Sequence, residues 1–81
     1  MMWWLFSKVS ETADTITYRY STESEKLDGL ITHSKAAGKS ALSAPSSKDR
    51  KTPWKADLTM SRFDRWIVYK GFPDHRMVVV G

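Results

Sequence analysis

The sequence contains no cysteine, no asparagine and no glutamine. Without cysteine, neither a disulfide nor a thiolate metal site can stabilise the fold, and the redox compartment is left open. Without asparagine and glutamine, the chain lacks the side chains that usually read adenine in duplex DNA, although arginine remains available for guanine. The composition therefore argues against thiolate metalloproteins and against adenine-reading DNA-binding proteins.

Long apolar runs are also missing. No stretch approaches the roughly 20 apolar residues that a membrane-spanning helix needs. The apolar start, "MMWWLF", has no basic leader and is interrupted by Ser7 and Lys8, too early for the core of a signal peptide. We therefore expect a cytoplasmic, soluble protein that does not act at a membrane.

The chain is short, and its charge is unevenly spread. Its 81 residues predict a single small domain, residues 1–81, and four Trp, three Tyr and three Phe supply a modest core. The net charge is +4, but residues 1–34 carry a net −2 and residues 35–81 a net +6. Within residues 35–55, six basic residues stand against one acid. This asymmetry is compatible with an acidic partner, nucleic acid included, or with a solvated basic loop.

Apolar and polar residues alternate in several short segments, which predicts strands. The clearest strand is "TITYRYS", residues 15–21, and "MWWLFSKV" before it predicts a first strand covered on both faces. In "LDGLITHS", Gly29 marks either a tight turn or an irregularity in a third strand, and we favour the strand. Residues 35–52 predict a flexible basic loop with one weak edge strand at residues 40–44. The final "RMVVV" is wholly apolar and predicts an inner strand.

Residues 52–71 carry the signals of a helix. Thr52 is a candidate N-cap, Pro53 suits the first helical position, and Gly71 suits the left-handed position after the helix. A helical stripe is expected to face the core, formed by Ala56, Met60, Phe63 and Ile67. The predicted fold is α+β, with a mainly antiparallel sheet of four to five strands packed on one helix, in the order β-β-β-(β)-α-β.

The opposite face of this helix is rich in aromatic and basic side chains, a composition typical of interaction hot spots. The spacing of Arg62 with Trp66 and of Arg65 with Tyr69 suits cation–π contacts. The alternative is that Trp54 and Trp66 fold onto the sheet and the arginines cover them. The predicted binding face comprises Trp54, Lys55, Leu58, Arg62, Arg65, Trp66 and Tyr69.

A second candidate surface is the basic stretch that contains Lys48, Arg50 and Lys51. Lysine and arginine of this stretch are able to neutralise phosphates, and the neighbouring aromatic side chains are able to stack on bases. Nucleic-acid binding through this stretch is therefore the alternative to protein binding.

The chain offers few groups for catalysis. "AGKS", residues 37–40, has His33 where a phosphate-binding loop needs glycine. His33 and His75 are the only histidines, whereas a zinc site wants three or four ligands. No strand-turn-helix elbow presents a nucleophilic serine. We predict a non-enzymatic protein with no cofactor, no metal and no catalytic residue.

Several motifs resemble those of a group of uncharacterised short bacterial proteins, mostly from gut Firmicutes. The shared features are a tryptophan-rich first strand, a tyrosine-rich second strand, the "LDG" step, a C-terminal helix and the ending "GFPDHRMV". The resemblance covers most of the chain outside residues 35–52 and implies a fold and a bacterial or phage setting, but no activity or site. An anti-CRISPR-like inhibitor of a host defence system is a further alternative in that setting, by analogy.

Overall fold

The structure, a computed structural model, describes residues 2–80. Five strands form one antiparallel sheet in the order β4-β3-β2-β1-β5, and the helical segments lie between β4 and β5 in the chain. The predicted α+β class is confirmed. The elements are β1 (Met2–Glu11), β2 (Thr15–Thr22), β3 (Gly29–Ser34), β4 (Lys39–Ala44), α1 (Ser47–Lys51), α2 (Pro53–Phe63), a π-helical turn (Asp64–Val68) and β5 (His75–Val80).

The core lies between one face of the sheet and the helical segment. Alternate residues of each strand point to this face, as the period of two requires. Phe63 of α2 packs on Phe6 and Tyr18, with ring centroids 5.7 and 5.4 Å apart. The opposite face of the sheet, which carries Met77 and Val79, is open. The buried core consists of Trp4, Phe6, Ile16, Tyr18, Tyr20, Ile31, Phe63, Ile67 and Val78.

Gly29 begins β3, so the strand interpretation of "LDGLITHS" is confirmed. The register places Gly29 directly opposite Tyr20 on β2. A Cβ atom at Gly29 would lie 2.2 Å from Tyr20 Cε1, so any larger residue collides with the ring. The glycine therefore allows the aromatic ring to cross the strand and reach the core.

The sequence predicts a loop at residues 35–52, but most of these residues form regular secondary structure. The weak edge strand is confirmed as β4, and α1 follows it. The helix forms because Ser46 accepts the Asp49 N–H at its N-terminus, while the Asp49 side chain is almost fully buried. The pattern of apolar residues could not predict α1, because a small polar helix held by hydrogen bonds has no apolar stripe.

The predicted helix is present but ends differently. Pro53 occupies the first turn of α2, whereas the Thr52 side chain makes no capping hydrogen bond, contrary to expectation. After Phe63 the helix widens into a π-helical turn, in which the Tyr69 N–H donates to the Asp64 carbonyl (3.0 Å). Gly71 has the expected left-handed conformation (φ +83°) and lets the chain leave the helix.

The prediction that the final strand is an inner strand is wrong. β5 pairs only with β1 among the described strands and lies at the edge of the sheet. The apolar residues of β5 lie on both faces of the strand. Val78 is buried under the helical segment, whereas Met77 and Val79 are 57% and 52% exposed on the open face. The apolar run therefore does not make β5 an inner strand, since one of its faces is exposed.

Candidate interaction surface

Trp66, in the π-helical turn, is surrounded by cations. Arg65 of the same turn and Lys70, two residues after it, flank the ring, with Cζ and Nζ at 5.8 and 5.6 Å from the ring centroid. Arg76 of β5 approaches from the sheet, with Cζ at 5.3 Å. These distances are typical of cation–π contacts. We call Arg65, Trp66, Lys70 and Arg76 the Trp66 cluster.

The cations of the Trp66 cluster have no acidic partner among the described residues. Every ion pair between residues 2 and 80 involves a lysine elsewhere: Lys8, Lys35, Lys48 or Lys55. Trp66 itself is half-buried and packs against the core. The Trp66 cluster is therefore a positively charged surface around a tryptophan ring that packs against the core.

Two aromatic side chains of the predicted binding face are exposed. Tyr69 lies between Trp66 and Lys70 in the sequence and is 87% exposed. Trp54, near the start of α2, is 59% exposed. Fifteen residues separate them, which corresponds to roughly 22 Å along a helix. The structure therefore does not bring them into one compact patch.

The remaining residues of that face are engaged with the fold. Lys55 donates to Glu23 Oε1 (3.2 Å), and Leu58 packs against the core. Arg62 is half-buried, and its Nε is buried with no hydrogen-bond partner among the described residues. Although the spacing predicts an Arg62–Trp66 contact, the ring meets Arg65, Lys70 and Arg76 instead.

The basic stretch lies where α1 meets α2. Lys48, Lys51 and Lys55 line a surface hollow together with Thr52. Glu23 offsets two of these charges, since its Oε1 lies 3.2 Å from Lys55 Nζ and 3.9 Å from Lys48 Nζ. The Arg50 side chain folds back and donates to the Pro45 carbonyl (3.3 Å). This surface is consequently less positive than the sequence indicates.

Beneath α1 lies a buried hydrogen-bond network around Asp49. Its Oδ2 accepts from Tyr20 (2.7 Å) and Thr59 (2.8 Å), and its Oδ1 accepts from Thr22 (2.8 Å). Trp4 Nε1 donates to Thr59 Oγ1 (2.8 Å). Burial, and then the bond to Asp49, raise the pKa of Tyr20 well above its ordinary value. The network ties α1, α2 and the sheet together.

Among residues 2–80, no acid side chain hydrogen-bonds to either histidine. Ser7 Oγ lies 3.0 Å from His75 Nδ1, but the neighbouring Asp74 carboxylate is 3.3 Å from Lys8 Nζ instead. His33 is buried and contacts Ser40 Oγ (2.8 Å), and that hydroxyl donates to Asp64 Oδ1 (2.8 Å), so the acid binds the serine and not the histidine. A serine hydrolase needs an acid that orients the histidine beside an activated serine. Within residues 2–80, no three or more His, Asp or Glu side chains gather as a metal site would require.

No family model, curated protein or solved structure matches the chain. Among the helices of residues 2–80, none has the length and apolar character needed to cross a membrane.

Lys70 and Arg76 are the site residues that sequence reasoning missed. Lys70 follows Trp66 by four residues, a spacing that predicts contact on a helix. Arg76 is distant from Trp66 in sequence and gave no such signal, because only the position of β5 at the sheet edge brings it to the ring.

Proposed function

We propose that this chain is a small, non-enzymatic interaction module that binds a protein partner through the Trp66 cluster and the exposed Tyr69. The observation that carries the proposal is a partly buried tryptophan ring under three cations, none of which has an acidic partner within residues 2–80. Tryptophan, tyrosine and arginine are the residues that most often dominate binding energy at protein interfaces.

Two properties of the Trp66 cluster favour it over the rest of the predicted face. A pre-positioned ring loses little conformational entropy on binding, and its flanking cations attract an acidic partner. Trp54 has one cation near its ring, Lys55 at 5.7 Å from the centroid, and that lysine is already paired with Glu23. The proposal therefore moves the centre of the binding surface from the middle of α2 to the π-helical turn and β5.

The test is affinity capture from a bacterial lysate with three forms of the chain. The wild type is compared with Arg65→Ala/Arg76→Ala and with a charge-matched control, Lys26→Ala/Lys39→Ala, whose lysines are exposed on other parts of the surface. Captured material is scored separately for protein and nucleic acid. Specific proteins should be retained by the wild type and the control and lost by Arg65→Ala/Arg76→Ala. Equal retention by all three forms contradicts the proposal.

Nucleic-acid binding is the second candidate, supported by the lysine-lined hollow between α1 and α2. A salt titration against single-stranded and duplex oligonucleotides tests it, because each phosphate contact steepens the dependence of affinity on salt. Under this candidate, Lys48→Ala/Lys51→Ala reduces the salt slope, whereas Arg65→Ala/Arg76→Ala leaves it unchanged. Failure to bind either oligonucleotide at about 50 mM salt rejects it.

A further inference from the structure

The outer edge of β5 is an unpaired strand edge. Lys8 N–H donates to the Asp74 carbonyl (2.8 Å), in the same register that pairs β1 with β5. In an antiparallel pair the bonded positions recur at every second residue. The backbone groups that face β1 belong to Arg76, Val78 and Val80. Those that face away from the sheet belong to His75, Met77 and Val79, and no described strand pairs with them.

The two edges of the sheet differ in how well they are protected. β4, at the other edge, begins with Lys39 and carries a register irregularity opposite Leu30 and Ile31. Charges and irregularities of this kind discourage pairing with another chain. β5 pairs with β1 without any interruption in register and exposes Met77 and Val79. Of the two edges, β5 is the better template for an added strand.

A groove runs along this edge. It is lined by Trp66 on one side and by residues 76–79 on the other. A strand added to β5 would point alternate side chains to the helical face and to the open face of the sheet. Those on the helical face would meet the Trp66 cluster, and those on the open face would lie beside Met77 and Val79.

The positive charge beside the groove indicates which kind of partner would bind there. Arg65, Lys70 and Arg76 lie within 6 Å of the Trp66 ring centroid. A second copy of this chain, paired edge to edge, would bring an equal set of cations to the same groove, and like charges at an interface are unfavourable. Nucleic acid suits the charge but lacks a peptide backbone to pair with the strand. An extended acidic peptide satisfies both the charge and the hydrogen bonds.

We propose that β5 accepts an extended peptide segment of the partner as a sixth, antiparallel strand, with acidic residues facing the Trp66 cluster and apolar residues facing Met77 and Val79. This inference rests on the proposed function, since it specifies the partner chemistry of the same surface. Main-chain hydrogen bonds hold the segment, and the alternation of acidic and apolar side chains selects it.

The probe is a synthetic amidated peptide of about seven residues, the length of a typical strand, that alternates glutamate and valine. Binding is followed by backbone amide NMR and hydrogen exchange of the labelled chain. The outward Met77 and Val79 amides should exchange rapidly in the free chain and become protected with peptide. The Val78 amide, already bonded to β1, is the internal control and should be protected in both states.

Modified peptides test the backbone pairing without altering the protein. In antiparallel pairing the valine N–H groups face β5 and the glutamate N–H groups face solvent. Peptides N-methylated at every valine should lose binding, whereas peptides N-methylated at every glutamate should keep it. If the two sets bind equally, strand addition is wrong.

Charge variants test the selection. Exchanging glutamate for lysine in the peptide should abolish the protection, and Arg76→Glu should weaken the glutamate peptide by at least about tenfold. Protection of β5 amides in the free chain at high concentration, with a doubled mass by sedimentation, would show that a second copy fills the groove. Oligothymidylate that protects the same amides would identify nucleic acid instead. Either result overturns the peptide proposal.

Failure of this inference is distinguishable from failure of the proposed function. If the captured partner depends on Arg65 and Arg76 but leaves the β5 amides unprotected, the interaction surface stands and strand addition is wrong. If the partner is retained by Arg65→Ala/Arg76→Ala, the proposed function itself is wrong, whatever the synthetic peptide does.

Discussion

Asp49 is a buried carboxylate that three hydroxyl groups hold, and no cation among residues 2–80 forms an ion pair with it. Tyr20, Thr22 and Thr59 all donate to it, so it is the terminal acceptor of the network. Hydrogen bonds to a charged group contribute about 1.5–3 kcal/mol each, and leaving buried donors unsatisfied is costly. We infer that this one side chain fixes α1 against the sheet.

Replacing Asp49 with asparagine is expected to lower the free energy of unfolding by about 2–4 kcal/mol. The amide presents an NH2 group to hydroxyl donors and so leaves at least one of them unsatisfied. Urea unfolding measures the loss. Asp57→Asn is the matched control, because Asp57 is exposed on α2 and its replacement should cost under about 0.5 kcal/mol. Equal stability of the two variants would contradict this role for Asp49.

Because two tyrosines are buried, we expect the folded chain to lose stability at alkaline pH. Burial raises the pKa of Tyr18, with smaller contributions from Asp74 and Glu11, and burial also raises that of Tyr20. The unfolded chain, with tyrosine pKa values near 10, therefore releases these protons at a lower pH than the folded chain. The contribution of these two tyrosines to the unfolding free energy should be constant below about pH 9 and fall above about pH 10, by up to about 2.7 kcal/mol per pH unit.

Denaturant titrations between about pH 8 and pH 11 test this pH dependence. Tyr18→Phe removes one of the two titrating groups and should roughly halve the slope above pH 10. A stability that stays flat through this range would show that the two hydroxyls are not protected by the fold.

At the scale of elements, the strands were predictable because alternation in "TITYRYS" and its neighbours reports burial directly. α1 was not predictable, since its stability comes from Asp49 contacts with residues far away in the sequence. The edge position of β5 was also missed, because an apolar run specifies burial but not the number of covered faces. Trp66 was predicted as a site residue, whereas Arg76 became visible only through the sheet order.

The exit from the π-helical turn depends on Gly71. Its φ of +83° disfavours every L side chain, whereas a Cβ there would meet nothing within 4 Å. Gly71→Ala should therefore cost about 1 kcal/mol of unfolding free energy from backbone strain alone. Gly71→Asn should cost less, because asparagine tolerates the left-handed conformation better. Thermal unfolding ranks the variants, and an alanine variant as stable as the wild type would contradict the assignment of strain.

Over the whole molecule, positive charge is concentrated beside β5, the edge of the sheet that is open to pairing with another strand. Some acidic residues of the first half form ion pairs with lysines, such as Glu11 with Lys35 and Glu23 with Lys55. The cations beside β5 remain unpaired within residues 2–80. We infer that they have two roles: they attract an acidic partner, and they discourage edge-to-edge association of identical chains.

Neutralising these cations should therefore promote self-association. Arg65→Ala/Lys70→Ala/Arg76→Ala is expected to shift the chain toward dimers or larger species in sedimentation equilibrium, relative to the wild type at equal concentration. A control with three exposed lysines removed outside both sheet edges, Lys26→Ala/Lys48→Ala/Lys51→Ala, carries the same net charge and should stay as the wild type. Association of both triple variants would show that net charge, not its place beside β5, governs association. If neither variant associates, these cations do not restrain pairing and the inference is wrong.

An amide-exchange footprint of the chain bound to its captured partner decides whether the Trp66 cluster and β5 form the interaction surface. We expect protection of the Trp66 Nε1–H, of residues 65–70 and of the outward β5 amides at Met77 and Val79. Residues 47–55 should not change. Protection confined to residues 47–55, with the Trp66 cluster unaffected, would show that the partner binds elsewhere.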